Sequence, residues 1–201
     1  MKVKTITVGP LSTNCYIVYD GNLGIVIDPG DEGERIFYEI QSLNIDVSHI
    51  VLTHAHFDHM GAVDYLKDRI NAVIAIGEFE NEGYKKQPSM FSFAQTPVNP
   101  PDINLSDGSV INSGNISLKV MHTPGHTVGG ITLIGDSFAI CGDTIFCESV
   151  RRTDLPGGNF NTELDSIAKI LELPGDTILY CGHGPSTTVL HEKKYNFYIK
   201  R

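Results

Sequence analysis

The 201-residue sequence has no tryptophan, no internal repeat, no low-complexity tract and no cluster of lysine and arginine. The last absence limits its partners: 15 Lys+Arg stand against 24 Asp+Glu, a formal charge of −9. An acidic chain without a basic patch has no surface for wrapping nucleic acid or lying along an anionic membrane. Long apolar runs are missing too, and nothing approaches the ~20 residues that a membrane-crossing helix needs. The opening hexapeptide, MKVKTI, lacks the apolar core of a secretory signal. Cysteine is sparse and shows no C-x-x-C spacing; Cys15, Cys141, Cys147 and Cys181 each lie in or beside an apolar run. They read as reduced, buried thiols, and the expected location is cytoplasmic.

What is abundant is turn chemistry. Twenty glycines and ten prolines punctuate short apolar stretches. Strands are expected at 3–8, 15–19 and 25–28, followed by a helix in which Ile36, Phe37, Ile40 and Leu43 recur at helical spacing. A compact apolar strand at 50–52, a helix at 61–69 and a strand at 72–76 come next. Later strands are expected at 117–121, 130–134, 138–141 and 177–180, with helices at 163–172 and from about 191. Two batches of strands, each followed by helices, predict an α/β fold of four layers, two sheets with helices outside, in a single domain over 1–201. The stretch 78–105 shows no period and carries Pro88, Pro97, Pro100 and Pro101 with Tyr84, Phe91 and Phe93. It reads as a long loop, either a lid beside a site or a surface excursion.

The chemistry concentrates after the strand at 50–52, in Thr53-His54-Ala55-His56-Phe57-Asp58-His59. Imidazole nitrogen and carboxylate oxygen are the donors that zinc and similar divalent ions take. His54 and His56 fall on one side of an extended segment, and Asp58 and His59 turn into the following helix. Three more candidates share one setting, a glycine-flanked turn after a strand. They are His126 in Thr-Pro-Gly-His-Thr, Asp143 in Cys-Gly-Asp-Thr, and His183 in Cys-Gly-His-Gly-Pro. His49, His122 and His191 lack that setting and read as structural or surface residues.

Taken in order, H-x-H-x-D-H, T-P-G-H-T, G-D-T and G-H-G-P resemble the metallo-β-lactamase superfamily, from about residue 5 to residue 183. The resemblance implies a four-layer αββα sandwich of two mixed sheets with a two-metal site between them. By that pattern His54, His56 and His126 hold one divalent metal and Asp58, His59 and His183 the other. Asp143 bridges them together with a water or hydroxide. Gly142-Asp143-Thr144-Ile145-Phe146 and Thr13-Asn14-Cys15-Tyr16 resemble the hydroxyacylglutathione hydrolase (glyoxalase II) branch. The segments at 152–158 and 184–188 are similar to its short, single-domain relatives. Two departures stand out: the chain ends too early for the C-terminal helical domain of long glyoxalase II enzymes, and their Lys/Tyr-bearing stretch after the bridging aspartate is replaced by Ser149-Val150-Arg151-Arg152-Thr153-Asp154, with Arg151 where even short members usually carry glycine.

The activity implied is hydrolysis of a small-molecule thioester, such as a hydroxyacylglutathione, by a metal-bridging hydroxide, with Asp58 and Asp143 as the catalytic carboxylates. A thiolate leaves without a general acid, since a free thiol has a pKa of ~8.5. His/Asp ligation suits zinc first, with iron and manganese as alternatives. Arg152 is the first candidate to grip a substrate carboxylate, against an ion pair with Asp154; Arg151 and Tyr84 are further candidates, with Lys85 and Lys86 weaker. Competing readings are a persulfide dioxygenase with one iron on His54, His126 and Asp143, a lactone- or phosphoester-cleaving metallo-hydrolase, and a metal-binding scaffold without catalysis. Oligomeric state is not readable from the sequence.

Overall fold

A computed structural model describes residues 1–85 and 97–199. The chain opens with β1 (Lys2–Val8), β2 (Thr13–Asp20) and β3 (Leu23–Ile27), an antiparallel meander, followed by α1 (Gly33–Leu43). β4 (Asp46–Leu52) then pairs parallel to β3. Two short helices, α2 (Phe57–Met60) and α3 (Val63–Lys67), lead to β5 (Val73–Gly77), parallel to β4. A 3₁₀ turn (Glu78–Glu80) and α4 (Asn81–Lys85) follow, and β6 (Ile103–Leu105) closes the first sheet parallel to β5. Parallel neighbours need crossover connections, which is why helices collect on the outer face of this sheet.

The second sheet begins with β7 (Val110–Ser113), β8 (Ile116–His122), β9 (Ile131–Ile134) and β10 (Phe138–Gly142). A small hairpin, β11 (Ile145–Phe146) and β12 (Ser149–Val150), precedes α5 (Phe160–Ile170). β13 (Ile178–Cys181), β14 (Thr187–Thr188) and α6 (Val189–Tyr195) end the described chain. The spatial order is β14-β13-β10-β9-β8-β7, mixed, with β13 parallel to β10. Asn159 caps α5 by accepting from the Thr162 amide, and Thr188 caps α6 by accepting from that of His191.

Strand alternation divides the core into three layers. On β2, Cys15 and Ile17 face α1, α2 and α3, while Tyr16 and Val18 face the second sheet. Ile50 and Leu52 against Val51 on β4, and Ile74 and Ile76 against Ala75 on β5, repeat the pattern. On β10, Phe138 and Ile140 face the first sheet, while Ala139 and Cys141 pack with Ile167 and Ile170 of α5. The result is the expected αββα sandwich of two mixed sheets with helices outside.

Two expectations are corrected. The helix expected at 61–69 is shorter, α3 over 63–67 alone; α2 is a separate turn before it, and Gly61 between the two lies against Gly30, where a Cβ would stand 2.4 Å from the Gly30 carbonyl oxygen. The stretch 78–105 is not one loop, since its described residues include the 3₁₀ turn, α4 and β6. Residues 86–96, with Lys86, Pro88, Phe91 and Phe93, lie outside the described residues, and so does the lid reading that rests on them. No helix among the described residues is long and apolar enough to cross a membrane.

Candidate metal centre

All seven sequence candidates converge. β4 ends just before His54 and His56, α2 carries Asp58 and His59, and the turns after β8, β10 and β13 carry His126, Asp143 and His183. These strand ends meet along one rim of the sandwich, the position where α/β sheets commonly place ligands. The rim is stitched across the sheets by the Asn14 amide, which donates to the Gly182 carbonyl at 2.7 Å, and by a bridge between Thr13 and His183.

Two donor triads result: His54/His56/His126 and Asp58/His59/His183, each with its ligand atoms within 4.8 Å of one another. Asp143 lies between them. Its Oδ2 is 3.6 Å from His126 Nε2 and 3.5 Å from His183 Nε2, and its Oδ1 is 3.5 Å from His59 Nε2. Close approach here needs glycine: a Cβ on Gly182 would stand 2.1 Å from Asp143 Oδ1.

The rings are aimed from behind. His126 Nδ1 donates to the Arg152 carbonyl at 2.8 Å, and His183 Nδ1 to the Leu11 carbonyl at 3.0 Å. His59 Nδ1 pairs with Asp28 Oδ2 at 2.9 Å, and His54 Nδ1 with Thr53 Oγ1 at 3.1 Å. Such supports fix the tautomer and leave Nε2 facing the centre. There the buried Nε2 atoms of His54, His59 and His183 and both oxygens of Asp143 have no hydrogen-bond partner. Buried polar atoms are nearly always satisfied. A set of orphaned imidazole and carboxylate donors turned toward one another fits divalent cations.

The electrostatics agree. Burial pushes His54, His56 and His126 down, His56 to about 3, so the first triad offers uncharged nitrogens at neutral pH. Burial alone would push Asp58 up, but the His183 imidazole 3.3 Å from its Oδ2 and the charge of His59 hold it at about 2. Asp143 is likewise held low against its burial by His59 and His183. Conversely, burial opposes charge on His59 and His183, yet the surrounding aspartates raise both, His183 to about 9. Two protonated imidazoles thus neutralise carboxylates that a divalent cation would otherwise neutralise.

The candidates for substrate contact separate. Arg152 is exposed and its guanidinium is committed to Asp154, at 2.6 and 2.7 Å, so the ion pair weighed against substrate binding is what forms. Only its carbonyl serves the centre, through His126. Tyr84 is buried in the outer core layer, and its hydroxyl donates to the Asn99 carbonyl at 2.6 Å. Arg151 reaches the centre instead: its Nε is 2.9 Å from Asp143 Oδ2 and its guanidinium lies against Phe146.

Three acidic residues were missed. Asp28, fully buried, accepts from the Thr53 amide and hydroxyl, both at 2.7 Å, as well as holding His59. It follows a strand and precedes Pro29-Gly30, the same turn grammar that singled out Asp143. Glu80 is buried and accepts from the amides of Ala55 and Gly129, tying the His54–His56 segment to the segment after His126. Glu163, also buried, sits behind Gly125 and His126, and burial raises it to about 8. Neither Glu80 nor Glu163 carries a motif signal.

A sequence model of the metallo-beta-lactamase superfamily matches residues 8–183. The chain is 32% identical to the hydroxyacylglutathione hydrolase GloC of Haemophilus influenzae, covering 99% of this chain and 98% of the relative. Among solved structures it is similar to BLEG-1, described as a B3 metallo-beta-lactamase (TM-score 0.94, 32% identity, 100% of both chains). It is also similar to TTHA1623 in a di-iron-bound form (TM-score 0.87, 32% identity, 97% and 99% covered).

Proposed function

The chain belongs to the metallo-β-lactamase superfamily of metallo-hydrolases, and on that premise we propose that it cleaves thioesters of the hydroxyacylglutathione class. The observation that carries the reading is the pair of donor triads flanking Asp143, in a chain similar along nearly its whole length to a hydroxyacylglutathione hydrolase. His54, His56 and His126 would hold one divalent ion, Asp58, His59 and His183 a second, and Asp143 would serve both. Bound there, such ions supply Lewis acidity, lowering the pKa of a coordinated water to ~7 and polarising the carbonyl under attack. Zinc is the first expectation for this donor set, with iron as the alternative that the di-iron relative raises.

The chain's own residues do the rest. Asp58, ionised above about pH 2 and steadied by the Thr13 hydroxyl at 3.1 Å from Oδ2, orients the attacking water. Asp143 stays unprotonated between the triads. The departing thiolate needs no acid, because a thiol's own pKa is ~8.5. An amide would need one, and Glu163, the nearby carboxyl that stays protonated to about pH 8, is fully buried. Arg151, rather than Arg152, would pair with a substrate carboxylate. The four free cysteines are in keeping with a cytoplasmic, reducing location.

The test is loss of thioester absorbance with S-D-lactoylglutathione and metal-replete protein. The reading predicts kcat/KM of ~10⁴ M⁻¹s⁻¹ or more, abolished in Asp58→Ala. A trace rate contradicts glutathione as the carrier. A parallel assay with a chromogenic β-lactam tests the second reading, which draws on the likeness to BLEG-1.

A further inference from the structure

The β11–β12 hairpin has two faces. Phe146 lies against His183 of the main centre, with ring centroids 6.1 Å apart. The next residue, Cys147, begins the turn and meets the start of α6 instead. There Cys147 Sγ, a ring nitrogen of His191 and a carboxylate oxygen of Glu192 lie within 4.8 Å of one another. Glu148 adds a fourth donor, its Oε1 2.9 Å from His191 Nε2. We infer that Cys147, Glu148, His191 and Glu192 form a further cation site of zinc type, one that pins this hairpin to α6. It uses none of the main centre's residues, so it stands or falls independently of the thioesterase reading.

Three features separate this group from a chance acidic cluster. First, the donor set is mixed: a thiolate and an imidazole beside the carboxylates select zinc over magnesium or calcium. Second, one ligand is already fixed. Glu192 is buried, and its carboxylate accepts from the Glu148 amide (3.0 and 3.2 Å), the Thr187 hydroxyl (2.6 Å) and the Asn196 amide (2.7 Å). Third, Cys147, Glu148 and His191 remain accessible, with His191 and Glu148 side chains 37% and 57% exposed, so an ion can enter. Glu148 also sits at φ +59, a left-handed conformation costly for a residue with a Cβ, and its amide is held there by Glu192. On binding, the Cys147 thiol proton passes to buffer as the metal–sulfur bond forms, and the proton on His191 Nε2 is exchanged through solvent to Nδ1 as the His191–Glu148 hydrogen bond gives way to two metal bonds. Four protein ligands make a closed, structural site. It would steady the hairpin just ahead of Arg151.

Cobalt substitution tests this directly, because the main centre has no sulfur ligand in its proposed set. Full-length protein titrated with Co²⁺ should develop a thiolate-to-cobalt charge-transfer band in the near ultraviolet. Cys147→Ser should lose that band completely while keeping the visible bands of the His/Asp centre. Zinc-loaded wild type should carry one equivalent more than Cys147→Ser or His191→Ala after dialysis; the latter is a half-exposed helix position, which guards against misfolding of the former. Absence of a thiolate band at saturating Co²⁺, its persistence in Cys147→Ser, or equal zinc content in all three proteins would overturn the inference.

Discussion

Asp28→Asn isolates what the fold contributes to metal binding without touching a proposed ligand. Asp28 receives three donors: the Thr53 amide at 2.7 Å, the Thr53 hydroxyl at 2.7 Å and His59 Nδ1 at 2.9 Å. Asparagine has the same shape and tolerates the left-handed backbone at this position, where φ is +52. It replaces one acceptor oxygen with an NH₂. Whichever way the amide turns, a donor then faces a donor. If the NH₂ faces His59, the ring must shift its proton to Nε2, the atom turned toward Asp58 and Asp143. If it faces the Thr53 amide, the Thr53–His54 segment loses its anchor. A hydrogen bond to a charged group contributes about 1.5–3 kcal/mol, which at 1.36 kcal/mol per decade is roughly 10- to 150-fold in affinity. Substitution of such outer supports typically costs about 10–100-fold. The assay is competition for Zn²⁺ against a chromogenic chelator, with circular dichroism to confirm the fold. Affinity within about twofold of wild type would refute the argument that Asp28 sets the His59 tautomer.

Metal binding should release protons unequally at the two triads. His183, raised to about 9, and His59, also raised, are charged at pH 7 in the metal-free protein, whereas His56, at about 3, and its partners His54 and His126 are not. Affinity at Asp58/His59/His183 should therefore climb with pH up to about 9, while the other triad stays level above about 6.5. Calorimetry in buffers of different ionisation enthalpy that found no proton release at either site would contradict this. The same raised histidine has a stability sign. The His183 contribution in metal-free protein is complete below its ordinary value of 6.5 and lost as pH rises through about 9. Melting with chelator present should accordingly fall between pH 6.5 and 9.5, and a flat profile would count against the pairing. Gly182→Ala, whose Cβ would collide with Asp143 Oδ1 at 2.1 Å and His59 Cε1 at 2.9 Å, should strip metal from the centre; full occupancy would show the approach to be dispensable. Arg151→Ala should raise KM for a carboxylate-bearing thioester by about 10- to 150-fold, one charge-assisted hydrogen bond, and raise that of a neutral analogue much less; equal effects on both would remove Arg151 from substrate recognition.

The convergence of the seven donors was legible in the sequence because candidate ligands and their turns are local. Each of the seven donors sits on the turn that ends a strand, or on the short helix after it, so strand ends and glycine flanks locate them without knowledge of the sheet order. Layering was legible too, since alternation on β2 and the apolar runs of β4 and β5 report burial directly. What was not legible depends on contacts between distant segments. The break between α2 and α3 comes from Gly61 against Gly30, β6 gains its identity only by pairing with β5, and Glu80 acts on amides 25 and 49 residues away. The two arginines separate for a related reason. Arg152 and Arg151 are adjacent in sequence and point differently, one to Asp154 and the other to Asp143. Adjacent residues of an extended segment take opposite sides, and which side met the metal centre was set by the hairpin.

The most direct test of the account is anomalous diffraction from crystals of zinc- or iron-loaded protein, recorded at the metal's absorption edge. The account predicts two strong peaks at the rim, one among the ring nitrogens of His54, His56 and His126 and one among Asp58, His59 and His183, with Asp143 touching both. A single peak on His54, His126 and Asp143, or a peak in the buried group of Asp28, His54 and His59, whose donor atoms also lie within 4.8 Å of one another, would contradict it.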